Sequence, residues 1–146
     1  MPTPFCAIAD VTTLGIPASA LGTLTTAQQQ GACDAANGIV EAHTTAHFPL
    51  PYTSWGAEVT YWAVCIAQKI MLDVRGRNPS TASADKLIDD RFTWAEGQLD
   101  KVQRGALNPT ISPATTGTSN AQPSINSFSS LATYDPSGAT GPNRGI

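Results

Sequence analysis

The stretch Ile39–Pro51, IVEAHTTAHFPLP, decides how this chain of 146 residues folds. Its first half has the pattern of an amphipathic helix, and its second half contains two prolines. Proline cannot continue a helix and pushes the residue before it out of the α region. We therefore predict a helix that stops near His47. A rigid, extended connector follows, which consists of Phe48, Pro49, Leu50 and Pro51. Phe48 and Leu50 are its apolar anchors.

The helix that reaches this stop is predicted to begin at about Thr26. Thr25 and Gln28 have the spacing of a capping box, in which a hydroxyl and a side-chain amide satisfy two free backbone N–H groups. The stripe expected to face the core is mostly alanine and consists of Ala32, Ala36, Ile39, His43 and Ala46. Before this helix, Asp10 is predicted to cap a short helical turn through Leu14, and Pro17 to open a second one.

The strongest periodic signal in the chain follows the connector, from about Ser54 to Arg77. Its apolar residues recur every three or four positions, which is typical of a helix face. We predict that this central helix is buried on more than one side. Its core residues are Trp55, Val59, Trp62, Ile66, Ile70 and Val74. A last helix ending at Arg104 and Gly105 is predicted to pack along it through Ile88, Phe92, Ala95, Leu99 and Val102. The predicted fold is all-α: a small bundle of three main helices with short N-terminal helical turns.

The composition changes after Gly105. Residues 106–146 are rich in Ser, Thr, Pro and Gly and hold only Asp135 and Arg144 as charges. The sequence therefore predicts a helical domain over residues 1–105 and a long, extended C-terminal arm over 106–146. Spaced apolar residues make the arm a candidate for reaching onto a neighbouring subunit, with an unstructured tail as the alternative. These anchors are Ile111, Ile125, Phe128, Leu131 and Tyr134.

The charge content limits the classes of function. Charged residues make up 13% of the chain and the net charge is −3, whereas soluble domains average about 25% charged residues. Such a chain often hides surface in an assembly, and its acidity argues against a general nucleic-acid binder. Residues 1–68 contain no Lys or Arg. This asymmetry would let identical subunits meet head to tail, unless it only reflects solvated helix faces.

No motif points to catalysis, a metal or a cofactor. His43 and His47 are four residues apart, so both could face one metal, but no third ligand is placed by any motif. Asp89 and Asp90 are adjacent and point to different sides of a helix. Trp55, Trp62 and Trp94 could stack on bases, but their helical stripes favour the core.

Cys6, Cys33 and Cys65 are too widely spaced for a disulfide framework or a zinc site and are expected to be buried hydrophobes in a reducing cytoplasm. We also expect no signal peptide and no membrane span.

The order of these elements resembles the head–tail adaptor family of long-tailed bacteriophages, also called connector or head-completion proteins. The resemblance covers about residues 5–110 and is most specific in the proline stop and the final helix. His47 departs from the family pattern, in which Arg or Lys is common. The segments that carry the resemblance are FCAIADVTTL, HFPLP, EVTYWAVCIAQKIML and DRFTWAEGQLDKVQRGAL.

The resemblance implies a non-enzymatic virion protein. In such adaptors a ring, usually of twelve subunits, docks beneath the portal, extends the DNA channel, and offers a platform to the stopper or tail-completion protein. The implied partners are other copies of this chain, the portal protein, the stopper and passing double-stranded DNA, with no membrane. The protein would reside at the neck of the virion, and in the host cytoplasm during assembly. The alternatives are a small-terminase-like DNA-packaging factor, which should carry a helix-turn-helix with exposed basic residues, and a metal-dependent enzyme using His43 and His47.

Overall fold

A computed structural model of the protein describes residues 3–76 and 82–114. Over these residues the chain is mainly helical, which confirms the predicted class. A 3₁₀ turn at Ala18–Leu21 separates the first two helices. The helices are α1 (Ile8–Leu14), α2 (Thr26–Thr44), α3 (Ala57–Arg75) and α4 (Ala82–Gln103), and two short strands are β1 (Tyr52–Trp55) and β2 (Ile111–Pro113).

Helix α3 lies at the centre of the fold, and α1, α2 and α4 all pack against it. Every residue from Trp62 to Gln68 is buried, so this helix is enclosed on all sides over two turns. Burial of apolar side chains is the dominant favourable term in folding. The continuous burial explains why the apolar signal of α3 extends beyond a single stripe.

The predicted core residues of α3 and α4 do not all lie inside. Val74 is 51% exposed, so its placement in the core was wrong. It lies in the last turn of α3, beyond the part that its neighbours cover. The buried members are Val59, Trp62, Ile66, Ala95, Leu99 and Val102. The members that are partly buried and packed against the core are Trp55, Ile70, Ile88 and Phe92.

Helix α2 buries Ala32 and Ala36 as predicted, but the rest of its buried face differs from the predicted stripe. Ile39 is 37% exposed, and Ala46 is exposed beyond the end of the helix at Thr44. The predicted stripe did not include Asn37 and Thr44, two polar residues that are buried. Their burial is possible because other groups of the protein satisfy their hydrogen bonds. The buried face consists of Ala32, Cys33, Ala36, Asn37, Val40 and Thr44.

The helix ends largely follow local sequence signals. Thr25 and Gln28 form the predicted capping box: the Gln28 N–H donates to Thr25 Oγ1 over 3.2 Å, and the Thr25 N–H donates to Gln28 Oε1 over 2.9 Å. Asp10 caps the N-terminus of α1, the short helix predicted through Leu14. It lies in the first turn, where its carboxylate accepts the N–H of Ala7 over 2.8 Å. After α4, Gly105 adopts a φ of 72°, a conformation that closes many helices and favours glycine.

A short two-stranded antiparallel ribbon accompanies the helices. Trp55 pairs with Ile111 and Tyr52 with Pro113. Two backbone hydrogen bonds of 2.7 Å extend the pairing, from the Gly56 N–H to the Thr110 carbonyl and from the Ala114 N–H to the Pro51 carbonyl. The compact unit therefore reaches Ala114 rather than the predicted boundary at Gly105.

Candidate interaction surfaces

The residues weighed for catalysis or metal binding do not form a common site. The ring of His43 bonds to the Ile39 carbonyl over 2.9 Å, whereas that of His47 bonds to the Gln103 carbonyl over 3.0 Å. Asp89 pairs with Lys69, and Asp90 pairs with Lys86. Within residues 3–76 and 82–114 no three His, Cys, Asp or Glu side chains come together in a way that could hold a metal ion. His43 therefore forms a hydrogen bond within its own helix, whereas His47 links the end of α2 to the end of α4.

All three cysteines are free and buried. Two of them, Cys6 and Cys33, interact through their side chains. The hydrogen bond with Cys33, together with burial, raises the pKa of the Cys6 thiol. Burial also raises the pKa of Cys65. Cys6 and Cys65 are therefore poor nucleophiles at neutral pH, because the thiolate is the reactive form. The same hydrogen bond lowers the pKa of the Cys33 thiol.

The connector after α2 is held at its two ends. Phe48 is partly buried against the core, whereas Pro49, Leu50 and Pro51 are exposed. The hydroxyl of Tyr52 donates to the Phe48 carbonyl over 3.1 Å and lies 3.0 Å from Thr44 Oγ1. Burial raises the pKa of this phenol. The connector therefore has a fixed path and presents Leu50, which is 48% exposed, at the surface.

The first residues of the predicted arm are attached to this connector. Ile111 is buried. The Thr110 N–H donates to Glu58 Oε1 over 2.9 Å. This hydrogen bond, with a second one from the backbone N–H of Glu58 itself, lowers the pKa of the Glu58 carboxyl. The remaining predicted arm anchors, Ile125, Phe128, Leu131 and Tyr134, lie outside the described residues.

An open groove of about 660 Å³ lies between the N-terminal segment, α2 and β1. We call it the N-terminal groove. Its apolar walls are formed by Pro4, Pro51 and the half-buried ring of Trp55. Asp34 on α2 adds an exposed carboxylate that accepts only the side-chain amide of Gln30, over 2.9 Å, among the described residues. All residues that line the groove belong to the part of the chain without Lys or Arg.

A second surface lies on α4, away from its buried side. This Trp94 face consists of Leu87, Asp90, Arg91 and Trp94 of α4, together with Tyr61 of α3. Trp94 is 47% and Leu87 50% exposed, so the predicted burial of Trp94 was wrong. The Tyr61 and Trp94 rings contact each other with their centroids 5.9 Å apart. Burial raises the pKa of Tyr61, and the nearby positive charge of Arg91 opposes this rise.

The exposure of Trp94 follows from its position on the helix. Successive helical residues are about 100° apart. Trp94 precedes the buried Ala95 and therefore points well away from the core stripe, whereas Leu87, Arg91 and Trp94 recur at spacings of four and three on one side. This second stripe is visible in the sequence. The groove is not, since it is formed by segments distant in the chain.

Comparisons of the chain with protein-family models, with curated proteins and with solved structures found no match. Among the described residues, no helix has both the length and the apolar character needed to cross a membrane.

Proposed function

We propose that this protein is a head–tail adaptor of a long-tailed bacteriophage. In this role it is a non-enzymatic virion protein of the neck. It forms a ring, of twelve subunits in the family that the sequence resembles, beneath the portal. The ring extends the DNA channel and provides the platform on which the stopper or tail-completion protein docks.

The observation that supports this proposal best is the joining of the connector to the segment after α4. The ribbon between β1 and β2 ties the two together, and Glu58 adds a side-chain bond to Thr110. The described body therefore ends at Ala114, whose N–H donates to the Pro51 carbonyl. An arm that begins at a defined place suits a subunit that must be fastened to partners in one orientation, because preorganisation reduces the entropy lost on binding.

The charges of the body are compatible with a channel that DNA passes through. Arg75, Lys86 and Arg104 each form an ion pair with an aspartate of the same chain. Neutralised in this way, they offer little positive charge to bind phosphates. DNA would then move along such a surface without being held, and the ring would need no sequence-specific contact.

The proposal is tested by mixing the purified chain with the portal protein encoded by the same genome. Negative-stain images and particle mass should show rings of this chain seated on the portal. A chain that never joins the portal contradicts the proposal. Binding to duplex DNA in a mobility-shift assay, without portal binding, would instead favour the small-terminase-like alternative.

A further inference from the structure

We infer that the Trp94 face of one copy docks into the N-terminal groove of a second copy. This inference rests on the proposed function, because it names the contact between neighbouring subunits that a ring requires. It is carried by two exposed surfaces of one chain that differ in shape and charge and that have no residue in common.

The two surfaces differ in shape, since the depression beside Trp94 has only about half the volume of the groove, about 340 Å³. The groove is a concavity of about 660 Å³ with apolar and aromatic walls. The Trp94 face projects an indole that is 47% exposed, braced by Tyr61. Half-exposed aromatic side chains that enter a partner's pocket are typical anchors of protein interfaces. The groove has room for an indole and for part of Leu87.

The charges of the two surfaces are complementary. Asp34 is the charged residue that lines the groove, and the part of the chain that forms the groove contains no Lys or Arg. Beside Trp94, Lys86 is paired with Asp90, whereas Arg91 forms no ion pair with any described residue. Docking of the Trp94 face would bring Arg91 to Asp34. A guanidinium and a carboxylate form strong, geometrically specific hydrogen bonds when water is excluded.

The proposed contact is heterologous: each copy offers its groove to one neighbour and its Trp94 face to another. Such a contact leaves one free groove and one free Trp94 face on every dimer, and further copies add in the same way until a ring closes. A symmetric dimer, in which two copies engage both pairs of surfaces at once, would stop at two subunits instead. The proposed partner is another copy of this chain.

The first test compares charge reversals by sedimentation velocity over a concentration series of the full chain. We expect Arg91→Glu and Asp34→Arg each to weaken self-association at least about tenfold, as loss of an interface anchor does. The double variant R91E/D34R should recover most of the association. Glu96→Arg is the matched control, because Glu96 is exposed on the opposite side of α4 and its reversal should leave association unchanged.

The second test mixes two defective chains. W94A/R91A has an intact groove, and D34R has an intact Trp94 face. Each should be monomeric alone, and the mixture should form one-to-one dimers and nothing larger. Circular dichroism of each variant checks that it is folded. The inference is overturned if the wild-type chain stays monomeric throughout, if R91E and D34R associate normally, if R91E/D34R shows no recovery, or if the mixture stays monomeric.

The proposed contact between subunits and the proposed adaptor function can fail independently of each other. Rings on the portal that persist in folded R91E and D34R variants would leave the adaptor proposal standing and remove this interface. Self-association that depends on Arg91 and Asp34, in a chain that does not bind the portal, would support this interface and contradict the adaptor proposal.

Discussion

The side-chain amide of Asn37 holds both polar groups of the Cys6 backbone. The Cys6 N–H donates to Asn37 Oδ1 over 2.9 Å, and Asn37 Nδ2 donates to the Cys6 carbonyl over 3.1 Å. Both residues are buried. This pair of hydrogen bonds fixes the N-terminal segment on α2, and it thereby places one wall of the N-terminal groove.

Asn37→Ala should lower the free energy of unfolding by about 2 kcal/mol, because it leaves a buried N–H and a buried carbonyl without partners. Urea denaturation measures this loss. Glu96→Ala, an exposed change on α4, should stay within about 0.5 kcal/mol of the wild type. Equal stability of the two variants would show that the amide does not hold the segment.

Two glycines should respond in opposite ways to substitution by alanine. Gly31 lies inside α2 with nothing within 4 Å of an added Cβ, so Gly31→Ala should stabilise the protein by about 0.5–1 kcal/mol. A Cβ on Gly15 would overlap the side-chain amide of Gln68, and Gln68 is 1% exposed, so it has little room to move. Gly15→Ala should therefore lower the thermal unfolding temperature while Gly31→Ala raises it. A rise in both variants would refute the close contact at Gly15.

Glu58 should contribute to the pH dependence of stability. Its pKa is lowered by the hydrogen bonds from Thr110 and from its own N–H. A carboxyl with a lowered pKa stabilises the fold above its ordinary pKa, and the contribution is lost as the pH falls through the folded-state value. Urea unfolding between neutral pH and about pH 3 should therefore show a smaller loss of stability for Glu58→Gln than for the wild type. Glu96→Gln should follow the wild-type profile. If Glu58→Gln does so as well, the Thr110 bond is not formed in solution.

Two truncations should distinguish the body from the arm. Ending the chain after Ala114 keeps the ribbon, so the helical content and a single cooperative unfolding transition should be retained. Ending it after Gly105 removes β2 and exposes the site of Ile111, which is 8% exposed in the intact chain. Loss of such a buried side chain costs about 1.5–3 kcal/mol, and thermal unfolding should shift accordingly.

The same two chains test the role of the arm. We expect the chain that ends after Ala114 to remain folded but to fail to assemble on the portal. Normal assembly of this chain would remove the arm from the mechanism. Equal thermal stability of the two truncated chains would contradict the ribbon.

The sequence predicted best those helix ends that are determined by residues within one helical turn. The capping box of Thr25 and Gln28, the proline stop after α2 and the glycine that closes α4 all depend on local backbone chemistry. Helix α3 was also found, since its apolar residues recur over many turns. Boundaries were less certain where a helix and a strand compete: Ser54 was placed at the start of α3, but it belongs to β1.

The features that sequence missed depend on partners far along the chain. Strands of four and three residues carry little signal alone, and β1 and β2 form only because they pair with each other. The buried face of α2 includes Asn37 because Cys6 satisfies its amide. Val74 belongs to an apolar stripe that continues beyond the neighbouring helices. In each case the burial or pairing of the residue depends on segments distant in the chain, and the periodicity of the sequence contains no information about them.

Imaging of the purified chain with the portal protein of the same genome, combined with particle mass, tests the central claim most directly. We predict that the complex carries a closed ring of this chain at one end of the portal and that the free chain associates only weakly. A discrete small oligomer that does not bind the portal would contradict the adaptor proposal.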